Sequence, residues 1–68
     1  MKKFWLVDVI KHGVTGKVVW HATEEETEGY MQFLTGFLWP HKEISAEQAE
    51  MLYTLGVECM EIKPCPTI

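Results

Sequence analysis

The chain has 68 residues, a formal net charge of −4 and no arginine. A single domain (1–68) of this size buries only about 60% of its unfolded surface, so most apolar side chains are needed for the core and a deep catalytic cleft is not expected. Nucleic-acid binding is also disfavoured, because it depends on Lys and Arg releasing counterions. The acidic balance suits a basic protein partner, although it also keeps a small domain soluble.

The sequence predicts neither a membrane anchor nor a disulfide. No apolar stretch approaches the length of a membrane span, and the apolar run after the basic start ends at Asp8, so no secretory signal is recognised. Cys59 and Cys65 would lie too far apart along a strand for a disulfide unless the chain turns back at Pro64. Two reduced thiols in a cytoplasmic protein are therefore expected.

Residues 3–11 alternate in the manner of a β-strand. Phe4 and Leu6 share one face, and Trp5 and Val7 share the other. Because both faces are apolar, the pattern predicts a central strand, or a sheet whose second face is partly covered or meets a partner. Residues 12–16 contain two glycines and predict a hairpin loop, followed by a return strand over 17–22.

Two capping boxes predict two helices. Thr23 with Glu26 begins the first helix, and the acids at 24–28 suit the positive end of its dipole. Apolar residues at helical spacing continue to Trp39-Pro40, where this helix is expected to end. Ser45 with Gln48 begins the second helix, which Gly56 ends.

A third strand is predicted over residues 57–63. The element order is then ββααβ, and the fold class is α+β. The simplest packing is a three-stranded antiparallel sheet with two helices packed on one face. The third strand is expected to lie beside the first and antiparallel to it.

No residue set indicates catalysis or a bound cofactor. The candidate metal ligands are His12, His21, His41, Cys59 and Cys65. They lack the closely spaced pairs of zinc sites, so no metal is predicted. Neither thiol is placed beside a base, and Cys59 is interpreted as a small packing residue. With no nucleophile or acid–base pair evident, the chain is not predicted to be an enzyme.

Three features could instead meet a protein partner. The acids that include Glu24 and Glu25 could dock on a basic surface, or form a solvated first helical turn. Trp39 could plug the core, or stand exposed as an interface anchor. The charges of the third strand could protect a sheet edge, or set specificity for an added partner strand; the strand's candidate contacts are Glu58, Met60, Glu61 and Lys63.

The two ends of the chain resemble a known family. The start Lys2-Lys3-Phe4-Trp5, and Gly56-Val57-Glu58 leading to Ile62-Lys63-Pro64-Cys65, are similar to the gene-two proteins of coliphages, which inhibit host RNA polymerase. The resemblance implies a helix on a three-stranded antiparallel sheet, no catalysis, and docking on the β′ jaw of bacterial RNA polymerase to block the open promoter complex.

Two features depart from the family pattern. The family has one helix between its second and third strands, where this sequence predicts two. Its last strand contacts the polymerase through arginines, where this chain has Glu61 and Lys63. Lys63 keeps the positive charge without the planar guanidinium, and Glu61 reverses the sign. The scaffold then recognises either a different polymerase or a different target.

The leading hypothesis is a phage-encoded, non-enzymatic protein-binding module that inhibits a host enzyme in the bacterial cytoplasm. Bacterial RNA polymerase is the first candidate, and the chain is expected to be a monomer or a small homo-oligomer. One alternative is an acidic anti-defence or nucleic-acid-mimicking protein, which would need most acids on one continuous face. Another is a self-assembling structural module that uses an open sheet edge.

Overall fold

The computed structural model describes residues 1–11 and 13–62. Its elements in chain order are β1 (Lys3–Lys11), β2 (Val14–Ala22), α1 (Glu24–Thr35), β3 (His41–Ile44), α2 (Ala46–Thr54) and β4 (Cys59–Glu61). The α+β class and the two helices are as predicted. The predicted order ββααβ is wrong, because a further strand lies between the helices.

The four strands form one mixed sheet in the order β3-β1-β2-β4. β1 is antiparallel to both β2 and β3, whereas β4 is parallel to β2. The prediction that the last strand lies beside β1 is therefore wrong. β3 occupies that edge of β1, and the backbone N–H of Asp8 donates to the carbonyl of Pro40 at 2.9 Å just before β3 begins. The last strand is left with the free edge of β2.

The β1–β2 hairpin is longer than predicted. Its register runs without a break from Lys3 opposite Ala22 to Lys11 opposite Val14. Gly16 lies inside β2 opposite Val9, and is not part of a turn. Gly13 has a φ of 76°, a left-handed conformation that glycine adopts without steric cost. His12, also predicted in this loop, lies outside the described residues.

The sheet lies between the two helices. One face carries Trp5, Val7, Trp20 and Ala22, which are buried together with Met31 of α1, Trp39 and Ile62. The other face carries Val19 and Ile44, buried with Ala49 of α2 and flanked by Phe4 and Leu6. The prediction of both helices on one face is wrong, because β1 is apolar on both sides and each side requires a cover. β1 is a central strand, as one of the predicted alternatives required.

Both predicted capping boxes are present. The Thr23 hydroxyl accepts from the backbone N–H of Glu26 at 3.1 Å, and the Glu26 carboxylate accepts from the backbone N–H of Thr23 at 3.0 Å. Ser45 and Gln48 make the same pair of contacts at the start of α2. α1 ends at Thr35, before the predicted stop, because Gly36 adopts a φ of 78° and its N–H donates to the Gln32 carbonyl at 2.7 Å.

The first capping box predicts a specific loss of stability in acid. The hydrogen bond from the Thr23 backbone N–H lowers the pKa of Glu26 below its ordinary value of 4.5. A lowered folded-state pKa contributes stability above that ordinary value, and the contribution is lost as the pH falls through the folded-state pKa. We expect Glu26→Gln to unfold with a shallower pH dependence between about pH 6 and about pH 3.

Thermal unfolding followed by circular dichroism at several pH values measures this difference. Glu25→Gln is the matched control, since Glu25 lies in the same helical turn but is exposed and outside the capping box. Superimposable pH profiles for the unsubstituted protein and Glu26→Gln would contradict the prediction.

Candidate partner-binding surfaces

The last strand exposes only part of its predicted contact set. Glu58 and Glu61 are exposed, and Lys2 Nζ donates to Glu61 Oε1 at 2.7 Å. This hydrogen bond raises the pKa of Lys2, because the carboxylate stabilises the charged ammonium. Met60 is half-buried against the Trp20 side of the sheet, so its side chain belongs to the core. Lys63 lies outside the described residues.

Trp39 does not stand exposed as an interface anchor. Only 3% of its surface is exposed, and its ring centroid lies 5.7 Å from that of Trp20. Its indole Nε1–H donates to the Thr35 hydroxyl at 2.9 Å, and its backbone N–H donates to Met31 Sδ at 3.0 Å. Trp39 therefore plugs the core, the other role considered for it, and is removed from the candidate partner contacts.

The acids do not form one continuous face. Glu24 and Glu25 are exposed in the first turn of α1. The remaining acids are distributed over β1, α1, β3, α2 and the last strand: Asp8, Glu26, Glu28, Glu43, Glu47, Glu50, Glu58 and Glu61. Because α1 and α2 cover opposite faces of the sheet, their acids point away from each other. This distribution argues against nucleic-acid mimicry.

Within residues 1–11 and 13–62, three acids are also paired with lysines. Lys17 Nζ lies 2.6 Å from an Asp8 carboxylate oxygen, and Lys3 Nζ lies 3.2 Å from one of Glu43. The Lys2–Glu61 pair is the third. Exposed pairs of this kind stabilise a fold weakly, but they reduce the local negative field that a nucleic-acid mimic needs.

His41, one of the candidate metal ligands, is the first residue of β3. Its Nδ1 lies 2.7 Å from the carbonyl of Trp39, so this nitrogen must be the donor. Nε2 lies 4.0 Å from a Glu28 carboxylate oxygen, and the ring meets Trp5 edge-on at 5.5 Å. His41 thus packs against Trp5 and the Trp39 backbone, close to Glu28 of α1. No group of three or more potential ligands among residues 1–11 and 13–62 is placed to hold a metal ion.

Cys59 is exposed, which corrects its interpretation as a packing residue. It pairs with Val19 across the β2–β4 ladder at the outer strand of the sheet. Because β4 has three residues and lies at the edge of the sheet, Cys59 has few neighbours on its solvent side. Cys65 lies outside the described residues.

A group of exposed apolar residues at the C-terminal end of α1 was not anticipated. We call Phe33, Phe37 and Leu38 the aromatic end of α1; their exposed fractions are 73%, 71% and 54%. All three belong to the apolar residues at helical spacing that were expected to continue the helix to Trp39-Pro40. α1 instead ends at Thr35, and Phe37 and Leu38 are no longer on the helix. Gly36 was the available sequence signal, since glycine often follows the last helical residue.

A second exposed group lies at the end of α2. Met51, Tyr53 and Leu55 are each more than half exposed. Single exposed apolar residues are ordinary on protein surfaces, but clusters of large ones mark interaction sites. Sequence reasoning missed the exposure of both groups.

The outer edge of β3 opposes self-pairing. If two copies paired antiparallel through β3 about a two-fold axis, residues directly opposite each other would have their side chains on the same face of the sheet. Each possible register would then be centred on one residue, which would lie opposite the same residue of the other copy. The registers that pair three residues of β3 place either Lys42 opposite Lys42, or Glu43 opposite Glu43. Like charges directly opposite are destabilising, so this edge argues against self-assembly through β3.

Within the described residues, no helix combines the length and apolar character needed to cross a membrane. A scan against protein-family models found no match to the chain. Searches of curated proteins and of solved structures also found no match.

Proposed function

We propose that this chain is a small, non-enzymatic protein-binding module, phage-encoded, that inhibits a host enzyme in the bacterial cytoplasm. The observation that carries the proposal is the aromatic end of α1. All three tryptophans are buried, yet Phe33 and Phe37 leave most of their surface in water. Burying such side chains in a partner recovers a hydrophobic free energy that folding leaves unused, and aromatic residues are enriched at interfaces.

Bacterial RNA polymerase is the first target to test. This choice rests on the resemblance of the two end segments to the coliphage inhibitors. The fold adds no support, because a four-stranded mixed sheet between two helices differs from the family's three-stranded antiparallel sheet with one helix. The proposed protein-binding role rests on the exposed aromatic end of α1. The proposed polymerase target rests only on the resemblance of the two end segments.

A direct assay tests the polymerase target separately from the general protein-binding role. Purified bacterial RNA polymerase is immobilised, binding of the protein is measured by interferometry, and open-complex formation is followed on a promoter fragment. We expect saturable binding and fewer open complexes. Phe33→Ser should weaken both, whereas Glu50→Gln, at an exposed position of α2, is the control and should leave both unchanged. Absence of binding by the unsubstituted protein contradicts the polymerase target.

A further inference from the structure

The outer edge of β3 presents unpaired backbone groups. β3 is the terminal strand of the sheet and pairs with β1 alone. Along an antiparallel strand, successive residues direct their backbone N–H and C=O alternately to one side and to the other. The hydrogen bond from Asp8 to Pro40 sets the phase of this alternation. The groups of Lys42 therefore point to β1, whereas those of His41 and Glu43 point outward and have no hydrogen-bond partner among the described residues.

This edge carries opposite charges on the two faces of the sheet. Glu43 lies opposite Trp5, on the face that α1 covers. Lys42 lies opposite Leu6, on the face that α2 covers. Both charged residues are exposed, and Lys42 has no ion pair within the described residues. An added strand would therefore meet a carboxylate on one face and an ammonium group on the other.

A cleft of about 440 Å³ beside Glu43 has an excess of negative charge. Its lining includes Glu24 and Glu25 from the start of α1, together with Glu43 and Lys3 from the sheet. Lys3 Nζ lies 3.2 Å from the Glu43 carboxylate, so the single ammonium group faces three carboxylates. A positive side chain placed opposite Glu43 would lie on this face of the sheet and complement the charge of the cleft.

A second copy of β3 is a poor occupant of this edge, although it contains a lysine directly before a glutamate. A residue opposite Glu43 must direct its backbone groups across the new interface. Lys42 of a second copy cannot be that residue, because its backbone groups point to β1 of its own chain. The registers that pair three residues of β3 then place like charges opposite each other, which is destabilising.

We propose that the outer edge of β3 binds an extended segment of a partner protein as an added antiparallel strand, in which Lys or Arg is followed directly by Asp or Glu. The basic residue lies opposite Glu43 and exchanges two backbone hydrogen bonds with it, and the acidic residue lies opposite Lys42. The antiparallel direction is chosen because parallel pairing is slightly less stable per residue. The two charges that disfavour a second copy thus select this partner. The inference goes beyond the proposed function, because it needs neither RNA polymerase nor the aromatic end of α1.

A short peptide tests the edge directly. The probe is the capped peptide Thr-Val-Lys-Glu-Val-Thr, which is about 20 Å long when extended. Titration into the ¹⁵N-labelled protein should shift the amides of β3 saturably. Hydrogen exchange of the His41 and Glu43 amides should slow on binding, whereas that of Lys42, whose N–H points to β1, should not change. A peptide with Glu-Lys in place of Lys-Glu should bind about five-fold more weakly or worse, because it places like charges opposite each other.

N-methylation of the peptide distinguishes an added strand from charge attraction alone. A methyl group on the lysine backbone nitrogen removes the N–H that donates to the Glu43 carbonyl, and should weaken binding about ten-fold or more. A methyl group on the glutamate backbone nitrogen is the matched control. That N–H points away from β3, so its loss should leave the affinity unchanged. The two peptides have identical charges.

Charge reversal at Lys42 tests recognition from the side of the protein. Lys42→Glu should bind the Lys-Glu peptide about five-fold more weakly, and a peptide with Lys-Lys in its place should restore the affinity. Glu50→Gln, on exposed α2, is the control that should leave the affinity unchanged. Phe33→Ser should also leave it unchanged, which separates this edge from the aromatic end of α1.

Four results would overturn the inference. They are the absence of any saturable shift, amide shifts centred on Cys59 and Met60 of β4, equal binding by the two N-methylated peptides, and equal binding by the two charge orders. A concentration-dependent dimer in sedimentation that Lys42→Glu disrupts would also overturn it, because the occupant would then be a second copy. None of these results decides the polymerase assay, which scores binding to that target whichever surface is used.

Discussion

Replacing Trp20 with alanine is expected to lower the free energy of unfolding by about 3–5 kcal/mol. Trp20 is 3% exposed, and its ring centroid lies 5.3 Å from Tyr30 and 5.7 Å from Trp39. It also pairs with Trp5 across the central strands. A domain of this length has a total stability of roughly 3–10 kcal/mol, so the substitution removes a large part of it.

Urea denaturation followed by far-ultraviolet circular dichroism measures the effect. Phe33→Ala is the matched control, since it also truncates an aromatic side chain but at an exposed helical position. Its free energy of unfolding should change by less than about 0.5 kcal/mol. Similar losses for the two variants would contradict the assignment of Trp20 to the core and Phe33 to the surface.

Replacing Thr27 with valine is expected to raise the free energy of unfolding by about 1–2 kcal/mol. Thr27 is fully buried, and its hydroxyl has no hydrogen-bond partner among the described residues. A buried hydroxyl without a partner bears a desolvation cost that a methyl group of similar shape avoids. Valine and threonine have similar helix propensities, so the backbone term is small.

Thr35→Val, in the same helix, is expected to lower the free energy of unfolding. The Thr35 hydroxyl donates to the Met31 carbonyl at 3.2 Å and accepts from Trp39 Nε1 at 2.9 Å. Its removal leaves the buried indole N–H without that acceptor, so we expect a loss of about 1–2 kcal/mol. Thermal and urea unfolding of both variants checks the pair, and a loss of stability in Thr27→Val would show that its hydroxyl has a partner.

The exposed aromatic end of α1 links stability to the proposed function. Because the Phe33 side chain is mostly exposed, it contributes little to the free energy of unfolding. Its substitution should therefore weaken binding without changing stability. Trp20→Ala should lower the stability strongly and lower binding only in proportion to the unfolded fraction, because the Trp20 ring is inaccessible to a partner. Comparing the two variants in the polymerase assay, with their folded fractions measured, separates a lost contact from a lost fold.

The sequence by itself determined the elements that depend on local interactions. Alternation along β1 assigned Trp5 and Phe4 to opposite faces, and both capping boxes were predicted at the residues where α1 and α2 begin. These features follow from side-chain direction and from hydrogen bonds within four residues of the chain. Gly36 is also a local signal, since its left-handed conformation ends α1 without help from distant residues.

Only the tertiary structure decided which edges and faces meet. The segment His41–Ile44 has little pattern of its own and becomes a strand because β1 offers a free edge. Because β3 pairs with β1, β4 pairs with β2 instead. The two helices lie on opposite faces of the sheet. The tertiary structure also buries Trp39 while leaving Phe33 and Phe37 in solvent, because the chain turns back over the core after Gly36. These outcomes depend on which of several distant segments fill one core and pair with two sheet edges. A local sequence pattern does not contain that information.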